Sequence, residues 1–249
     1  MQVAGMTNQG LERARNEDNY FVSAEADIAL LAVADGMGGH RAGNIASALA
    51  IAAAEKIWLA IDRSNMPTVE NARKLIETLL VEANSKIIDE SESASERRGM
   101  GTTLTAGLLC SNRLTIGHVG DSRAYMINNG QISMITKDHS LLEQLIDTGQ
   151  VKPEEADNHP QRHVLTRALG VSPDLAIDVT ELEIEPGSAL ILCTDGLTNM
   201  VRDNEILAMY KENRDPETLA QALIELANSR GGFDNITVVI ATGIGGPQD

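Results

Sequence analysis

Residues 33–40 read VADGMGGH, and they follow an apolar run, Ala29-Leu30-Leu31-Ala32-Val33-Ala34. The run has the composition of a buried strand, yet it stops on the carboxylate of Asp35. Gly36, Gly38 and Gly39 fill three of the next four positions. Taken alone, Asp-Gly after a strand is an ordinary turn. Two further apolar runs end the same way, LTIGHVGD at Asp121 and SALILCTDG at Asp195. Two more acids stand at strand starts, Asp18 before NYFVS and Asp234 before NITVVI. In an antiparallel sheet the end of one strand lies beside the start of its neighbour. The five carboxylates are therefore expected at one edge of a layered core.

Carboxylates gathered in one pocket repel and resist ionisation unless cations join them. Oxygen donors without His or Cys suit magnesium or manganese, not zinc. Two such ions, roughly 3.5–4 Å apart, share a water and lower its pKa, which makes a nucleophile at neutral pH. A phosphoryl group suits that nucleophile, and a guanidinium suits the phosphate. Arg13, in ERARNED, is the first choice for that role and Arg15 the alternative. Gly36 has a carbonyl to offer as a further ligand. His40 stands where a general acid could meet the leaving group.

The rest of the chain supplies the scaffold. Residues 42–61 read as a helix with Ile45, Leu49, Ala53 and Ile57 on one face. A second helix starts at the N-cap Thr68 and presents Leu75, Leu79, Ala83 and Ile87, until the polar patch SESASERRG ends it. TTLTAGLLC, RLTIGHVG, RAYMIN and QISMIT read as four strands of an antiparallel meander, with NNG as a hairpin turn. Residues 140–148 read as helical, and 149–172 as an irregular surface excursion. AIDVTELEI and SALILCT form a strand pair about the turn EPG. Two helices follow, the second with Asp215 as N-cap and Pro216 at its first position. NITVVIATG closes the chain as a strand. Antiparallel strands with helices in pairs argue for an α+β fold.

Composition narrows the function. The chain has 249 residues, a formal net charge of −16 and only 2% aromatic residues. That balance opposes binding to nucleic acid or to anionic membranes. Cys110 and Cys193 interrupt apolar runs and read as buried free thiols. The first ten residues lack a signal-peptide core, and no segment is a clean membrane span. A cytoplasmic location follows as the expectation. A P-loop and a G-x-S-x-G elbow are both absent. His159 and His163 are spaced i, i+4, but Pro160 spoils a helix there. A non-catalytic phosphoprotein-binding module would lack some of the acids, and all five are present. A nuclease is opposed by the acidity.

The motifs TNQGLERARNEDN, VADGMGGH, GMGTTLT, HVGDSRAY, KDHS, VLTRALG, CTDGLTNM and GGFDNITVV run in this order along nearly the whole chain. In them the chain resembles the metal-dependent serine/threonine protein phosphatases of the PPM type, or protein phosphatase 2C, in their compact bacterial and cyanobacterial form. The resemblance implies a single catalytic domain over 1–249, a four-layer α-β-β-α sandwich of two antiparallel sheets with paired helices outside. It implies a hydrolase of phosphoserine and phosphothreonine that uses Mg or Mn: two core ions and a third beside them. Asp35 would bridge the core ions and Gly36 would add its carbonyl. Asp195 and Asp234 would complete the first ion, Asp18 would join the second, and Asp121 with Asp195 would hold the third. Arg13 matches the phosphate-binding arginine. Residues 149–172 match a flap, with His163 at a flap position that could touch substrate. Animal members carry a His where this chain has Met37, which leaves the general acid open between His40 and water. The partners implied are phosphorylated proteins, among them PII-type signalling proteins or the targets of a cognate kinase. No nucleic acid and no membrane partner is implied, and the expected state is a monomer.

Overall fold

The computed structural model describes residues 1–37, 42–63, 67–152, 155 and 159–246. Its strands form two antiparallel sheets. One contains β1 (Gln2–Asn8), β7 (Arg123–Asn128), β8 (Gln131–Met134), β10 (Ser188–Cys193) and β11 (Ile236–Ile244), in the order β1-β11-β10-β7-β8. The other contains β2 (Asp18–Glu25), β3 (Ile28–Met37), β5 (Leu104–Cys110), β6 (Arg113–Val119) and β9 (Asp178–Glu183), in the order β2-β3-β5-β6-β9. A two-residue strand, β4 (Gly101–Thr102), pairs with the end of β3.

Side chains alternate across a strand, and β3 uses both of its faces. Leu30, Ala32 and Ala34 point to an outer cluster with α1 (Gly43–Ala60) and α2 (Val69–Ser93). Ala29, Leu31 and Val33 point the other way, into a cluster between the sheets with Leu190, Leu192 and Val239. A central strand buried on both faces must be apolar throughout, which is why the run before Asp35 has no polar break. On the far side, Ile191, Val238 and Ile240 meet α5 (Asp203–Glu212) and α6 (Pro216–Ser229). The result is the expected four layers. Cys110 and Cys193 are buried and free, one in each outer cluster.

Helix boundaries follow local chemistry. Thr68 caps α2 by accepting from the Asn71 N–H at 3.2 Å, and Asp215 caps α6 by accepting from the Thr218 N–H at 2.9 Å. Ser140 does the same for α3 (Leu141–Asp147). The buried face of α1 matches the expected one at Ala53 and Ile57 but not at Ile45 and Leu49. Ala46, Ala50, Ala53 and Ala54 are buried with Ile57, while Ile45 and Leu49 are half-buried. Small alanines let the helix approach the sheet closely, and the larger side chains lie at the margin.

Several connections differ from the sequence reading. The expected four-strand meander breaks in the middle, because β5–β6 lie in one sheet and β7–β8 in the other. The chain changes sheets at Gly120-Asp121-Ser122, where Gly120 takes φ +118°. A Cβ on Gly120 would sit 2.5 Å from Thr103 Cβ, so both the backbone angle and the space require glycine. The pair about EPG is likewise split, with β9 on β6 and β10 on β7 and β11. Strand β1 escaped the sequence reading because it is an edge strand of half-buried residues. Helix α2 runs on through Ser93, into the patch expected to end it. A third helix, the single turn α4 (Asp195–Thr198), precedes α5. Among the described residues no helix is long and apolar enough to cross a membrane.

Candidate metal centre and active site

Both sheets send strand ends to the same edge. Asp18 opens β2 and lies directly opposite Asp35 in the β2–β3 register. Strand β3 does not stop at Asp35, as the sequence reading expects, but continues to Met37. Asp121 sits in the crossover between the sheets. Asp195 begins α4 directly after β10 and Thr194, and Asp234 lies just before β11.

Asp18 is 4% exposed. Its Oδ2 accepts from Thr194 Oγ1 at 2.8 Å and from Thr237 Oγ1 at 2.7 Å. These hydroxyls belong to the opposite sheet, so the carboxylate clasps the two sheets together. Asp35 is held by its backbone: its N–H donates to Thr103 Oγ1 at 2.9 Å, and its carbonyl accepts from Thr102 Oγ1 at 2.8 Å and the Thr103 N–H at 2.9 Å. The side chain is thereby left for other work. Gly36 is buried where the strand passes the start of α1. A Cβ there would lie 2.2 Å from the Gly43 carbonyl oxygen and 2.7 Å from that of Glu17.

The electrostatics are those of crowded acids. Burial pushes Asp35 well above the ordinary carboxylate range, and Asp18, Asp195, Asp121 and Asp234 each push it further. Asp18 rises to about 7 through burial, with Asp195 and Asp234 adding to it against the pull of the Thr237 and Thr194 hydroxyls. Asp121 rises to about 8 through burial, Asp195 and Asp138. Asp234 rises through burial and Asp195, while Arg13 and the Asn235 N–H hold it back. Oδ1 of Asp18 and Oδ1 of Asp195 are buried with no hydrogen-bond partner. An orphaned buried carboxylate oxygen costs on the order of 1–3 kcal/mol or more, and a divalent cation is a partner that would remove the cost. The donor set is hard oxygen throughout, which fits Mg²⁺ or Mn²⁺. Among the described residues no three carboxylates, imidazoles or thiols converge into a ready-made cage.

Above the acids opens a cavity of about 1090 Å³. Arg13 lines it, and its Nη2 donates to Asp234 Oδ2 at 2.7 Å. Arg15 does not line it; the Arg15 carbonyl instead accepts from Asn235 Nδ2 at 2.9 Å. Of the two candidates, Arg13 is the one at the site. His163 also lines the cavity, with Nδ1 3.7 Å from Asp195 Oδ2. The separation exceeds a hydrogen bond, but the Asp195 carboxylate still raises the imidazole pKa. Met37 lines the cavity as well. His40, Gly38 and Gly39 lie outside the described residues. The return limb of the expected flap is anchored by backbone bonds, Thr166 N–H to the His139 carbonyl at 2.8 Å and Leu169 N–H to the Thr102 carbonyl at 2.9 Å. Sequence reasoning missed the hydroxyls of Thr102, Thr103, Thr194 and Thr237, and also Glu17, Arg162 and Arg167 on the cavity wall. Of these threonines only Thr194 adjoins an acidic strand end in sequence, at Asp195; the other three reach their acids across the fold.

The family model described as protein phosphatase 2C matches residues 11–228. The chain belongs to the protein phosphatase 2C family. It is 39% identical to the serine/threonine phosphatase stp of Listeria monocytogenes, over 96% of this chain and 95% of that protein. The crystal structure of the Mycobacterium tuberculosis serine/threonine phosphatase PstP/Ppp is similar with a TM-score of 0.87 at 41% identity, covering 97% of each chain. A crystal structure of the catalytic domain of PstP in complex with two manganese ions gives a TM-score of 0.83 at 38% identity, again over 97% of each chain. The α+β sandwich of this chain is thus the protein phosphatase 2C fold.

Proposed function

We propose that this chain hydrolyses phosphoserine and phosphothreonine in proteins at a Mg²⁺ or Mn²⁺ centre held by Asp18, Asp35, Gly36, Asp121, Asp195 and Asp234. The observation that carries the reading is the acidic cluster at the floor of the cavity, with one buried and unpartnered carboxylate oxygen on each of Asp18 and Asp195. Membership of the protein phosphatase 2C family supplies the reaction class. Divalent cations in such a centre supply Lewis acidity and a water of lowered pKa. The chain's own residues do the rest. Asp35, opposite Asp18 and in the field of all four other acids, is the carboxylate best placed to be shared between ions. Thr102 and Thr103 fix its backbone, so its aim does not depend on the side chain finding a partner. Arg13 binds the phosphate. A guanidinium has five donors, so it can hold Asp234 and a phosphoryl oxygen together. The Met37 thioether has no proton to give, and the general-acid role falls to His40 or to water. His163 lines the cavity beside Asp195 and would touch substrate from the flap.

In this reading residues 1–249 act as one catalytic domain, with 149–172 as its flap. The domain is a cytoplasmic monomer that acts on phosphorylated proteins, such as a PII-type signalling protein or the targets of a cognate kinase. Two buried free thiols suit a reducing compartment. Phosphate release from a phosphothreonine peptide should require Mn²⁺ or Mg²⁺; equal rates in chelator would overturn the proposal. Arg13→Ala should lower kcat/KM by roughly 10–100-fold, the size of a lost hydrogen bond to a charged group. Arg13→Lys should recover only part, since a point charge does not reproduce the guanidinium fork. Steady-state kinetics on the same peptide reads both; full activity in Arg13→Ala would assign phosphate binding elsewhere.

A further inference from the structure

The stretch KDHS, 137–140, supplies none of the five carboxylates of the site, yet every side chain in it has a definite partner. Lys137 pairs with Asp147 and with Glu143. Asp138 takes the Arg123 guanidinium at 2.7–3.1 Å. Ser140 caps α3. His139 is 5% exposed and stands at the centre. Its backbone N–H donates to the Gly120 carbonyl at 2.7 Å, and its ring Nδ1 accepts from the Gly120 N–H at 3.1 Å. An amide nitrogen can only donate, so Nδ1 carries no proton. The ring hydrogen is therefore on Nε2, which donates to Asp178 Oδ2 at 3.1 Å; Arg167 Nη1 lies 3.2 Å from the same nitrogen but, having only hydrogens to offer, packs against the protonated Nε2 without a bond to it. Asp178 Oδ1 in turn accepts from Arg167 Nη1 at 2.9 Å, and Arg167 is on the cavity wall. Burial, with Arg167 alongside, keeps the His139 pKa low, in line with a neutral ring.

The residue after Asp121 is held from the other side. Ser122 Oγ is 2.8 Å from Thr103 Oγ1, the same atom that accepts from the Asp35 N–H. Asp121 is thus the middle of a sheet-switching turn with a clamp on each neighbour. One clamp runs to Asp35 and the other is His139.

We infer that His139 is a positioning residue for the Asp121 turn: its Nδ1, by holding the Gly120 N–H, fixes where the Asp121 carboxylate meets Asp195, and its Nε2–H, through Asp178, holds Arg167 at the cavity wall. The inference rests on the phosphatase reading for what Asp121 does, but its geometry stands apart from it. It extends the functional machinery to a residue that touches neither substrate nor ion.

Two amide substitutions separate the two jobs. In His139→Asn the side-chain oxygen lies near the place of Nδ1 and keeps the acceptor for Gly120. In His139→Gln the side-chain nitrogen lies near the place of Nε2, which keeps the donor to Asp178 but loses that acceptor. Mn²⁺ binding by calorimetry, with kcat and KM for p-nitrophenyl phosphate, reads the difference. His139→Gln should weaken the weakest Mn²⁺ step about tenfold or more, the scale of lost outer-shell support, and raise the Mn²⁺ needed for half-maximal rate by a like factor. His139→Asn should stay within about threefold of the parent in both. A purely structural role would move the two variants alike, in step with their melting temperatures. Equal losses, or none in either, overturn the inference. If both variants fail to fold, Asp178→Ala carries the test, since that side chain is 49% exposed. It should raise KM by about two- to fivefold with Mn²⁺ affinity intact, and an unchanged KM overturns the inference. A parent protein that binds Mn²⁺ but does not hydrolyse the aryl phosphate would defeat the phosphatase reading alone, and the binding comparison would still judge His139.

Discussion

Asp35→Ala abolishes turnover, by about 10³-fold or more, and leaves a protein that is more stable than the parent when no divalent ion is present. The first effect follows from position. Asp35 is the carboxylate that feels all four of the others, so on the proposed reading its removal would loosen each ion that the acids hold. Losing several kcal/mol of charge stabilisation in the transition state is worth about 10³ in rate. The second effect follows from the same crowding. A carboxylate forced among acids in a buried site is a cost to the folded state that cations offset. Without cations, deleting it removes repulsion, and the backbone bonds to Thr102 and Thr103 survive because they involve main-chain atoms of residue 35. With Mn²⁺ present the order reverses, because the variant has lost the site through which the ions stabilise the fold. Phosphopeptide kinetics and paired melting curves in chelator and in Mn²⁺ read all of this. Retained turnover in Asp35→Ala would remove Asp35 from the centre. A variant less stable than the parent in chelator would show that the cluster is not repulsive.

What the sequence made legible, and what it hid, divide along physical lines. Strands buried on both faces advertise themselves, since both outward and inward positions must be apolar; β3, β5 and β10 were plain for that reason. Acids at the ends of such strands are conspicuous because nothing about packing calls for them. Which sheet a strand joins is another matter. NNG between β7 and β8 and GDS between β6 and β7 both look like tight turns, yet only the first is a hairpin. The second passes the chain across the sandwich, and what makes it do so is contact with His139 and Thr103, residues 19 positions away from their partners Gly120 and Ser122. No local pattern records a contact of that kind. The face of α1 was legible only in part: Ala53 and Ile57 are buried as expected, but Ala46, Ala50 and Ala54 take the inner positions in place of Ile45 and Leu49, because alanine contributes little to a periodicity count while defining the closest approach to the sheet. The threonines behind Asp18 and Asp35 were invisible for a related reason. A hydroxyl in a strand reads as β-propensity, and its role as donor emerges only when both sheets are assembled. Motif resemblance reached further than periodicity, since it named the acids and Arg13 together; it assigned KDHS no task.

The metal-free protein should lose stability as pH rises, which is the reverse of what most paired surface carboxylates produce. An unperturbed Asp titrates near 3.9, whereas Asp18 is raised to about 7 and Asp121 to about 8, and Asp35 is raised well above its ordinary value. A raised pKa means that the folded state binds more protons than the unfolded chain at intermediate pH. Stability from these groups is then full below about pH 4 and is lost as pH climbs through the folded values. The acids interact, so protons leave the cluster as a set and not residue by residue. Between about pH 5 and 8.5 the loss should reach a few kcal/mol, which for a chain of this size lowers Tm by roughly 5–10 °C. Mn²⁺ acts with the opposite sign. It binds the ionised carboxylates, so its affinity rises as protons leave, and an ion at 100 times its Kd adds about 2.7 kcal/mol. Melting curves across that pH window should therefore slope downward in chelator and be flat or rising in saturating Mn²⁺. Parallel curves would mean that the carboxylates are not the groups the ions engage. A flat curve in chelator would mean that Asp18, Asp35 and Asp121 ionise freely in the folded protein, and the electrostatic case for a cation centre would fall with it.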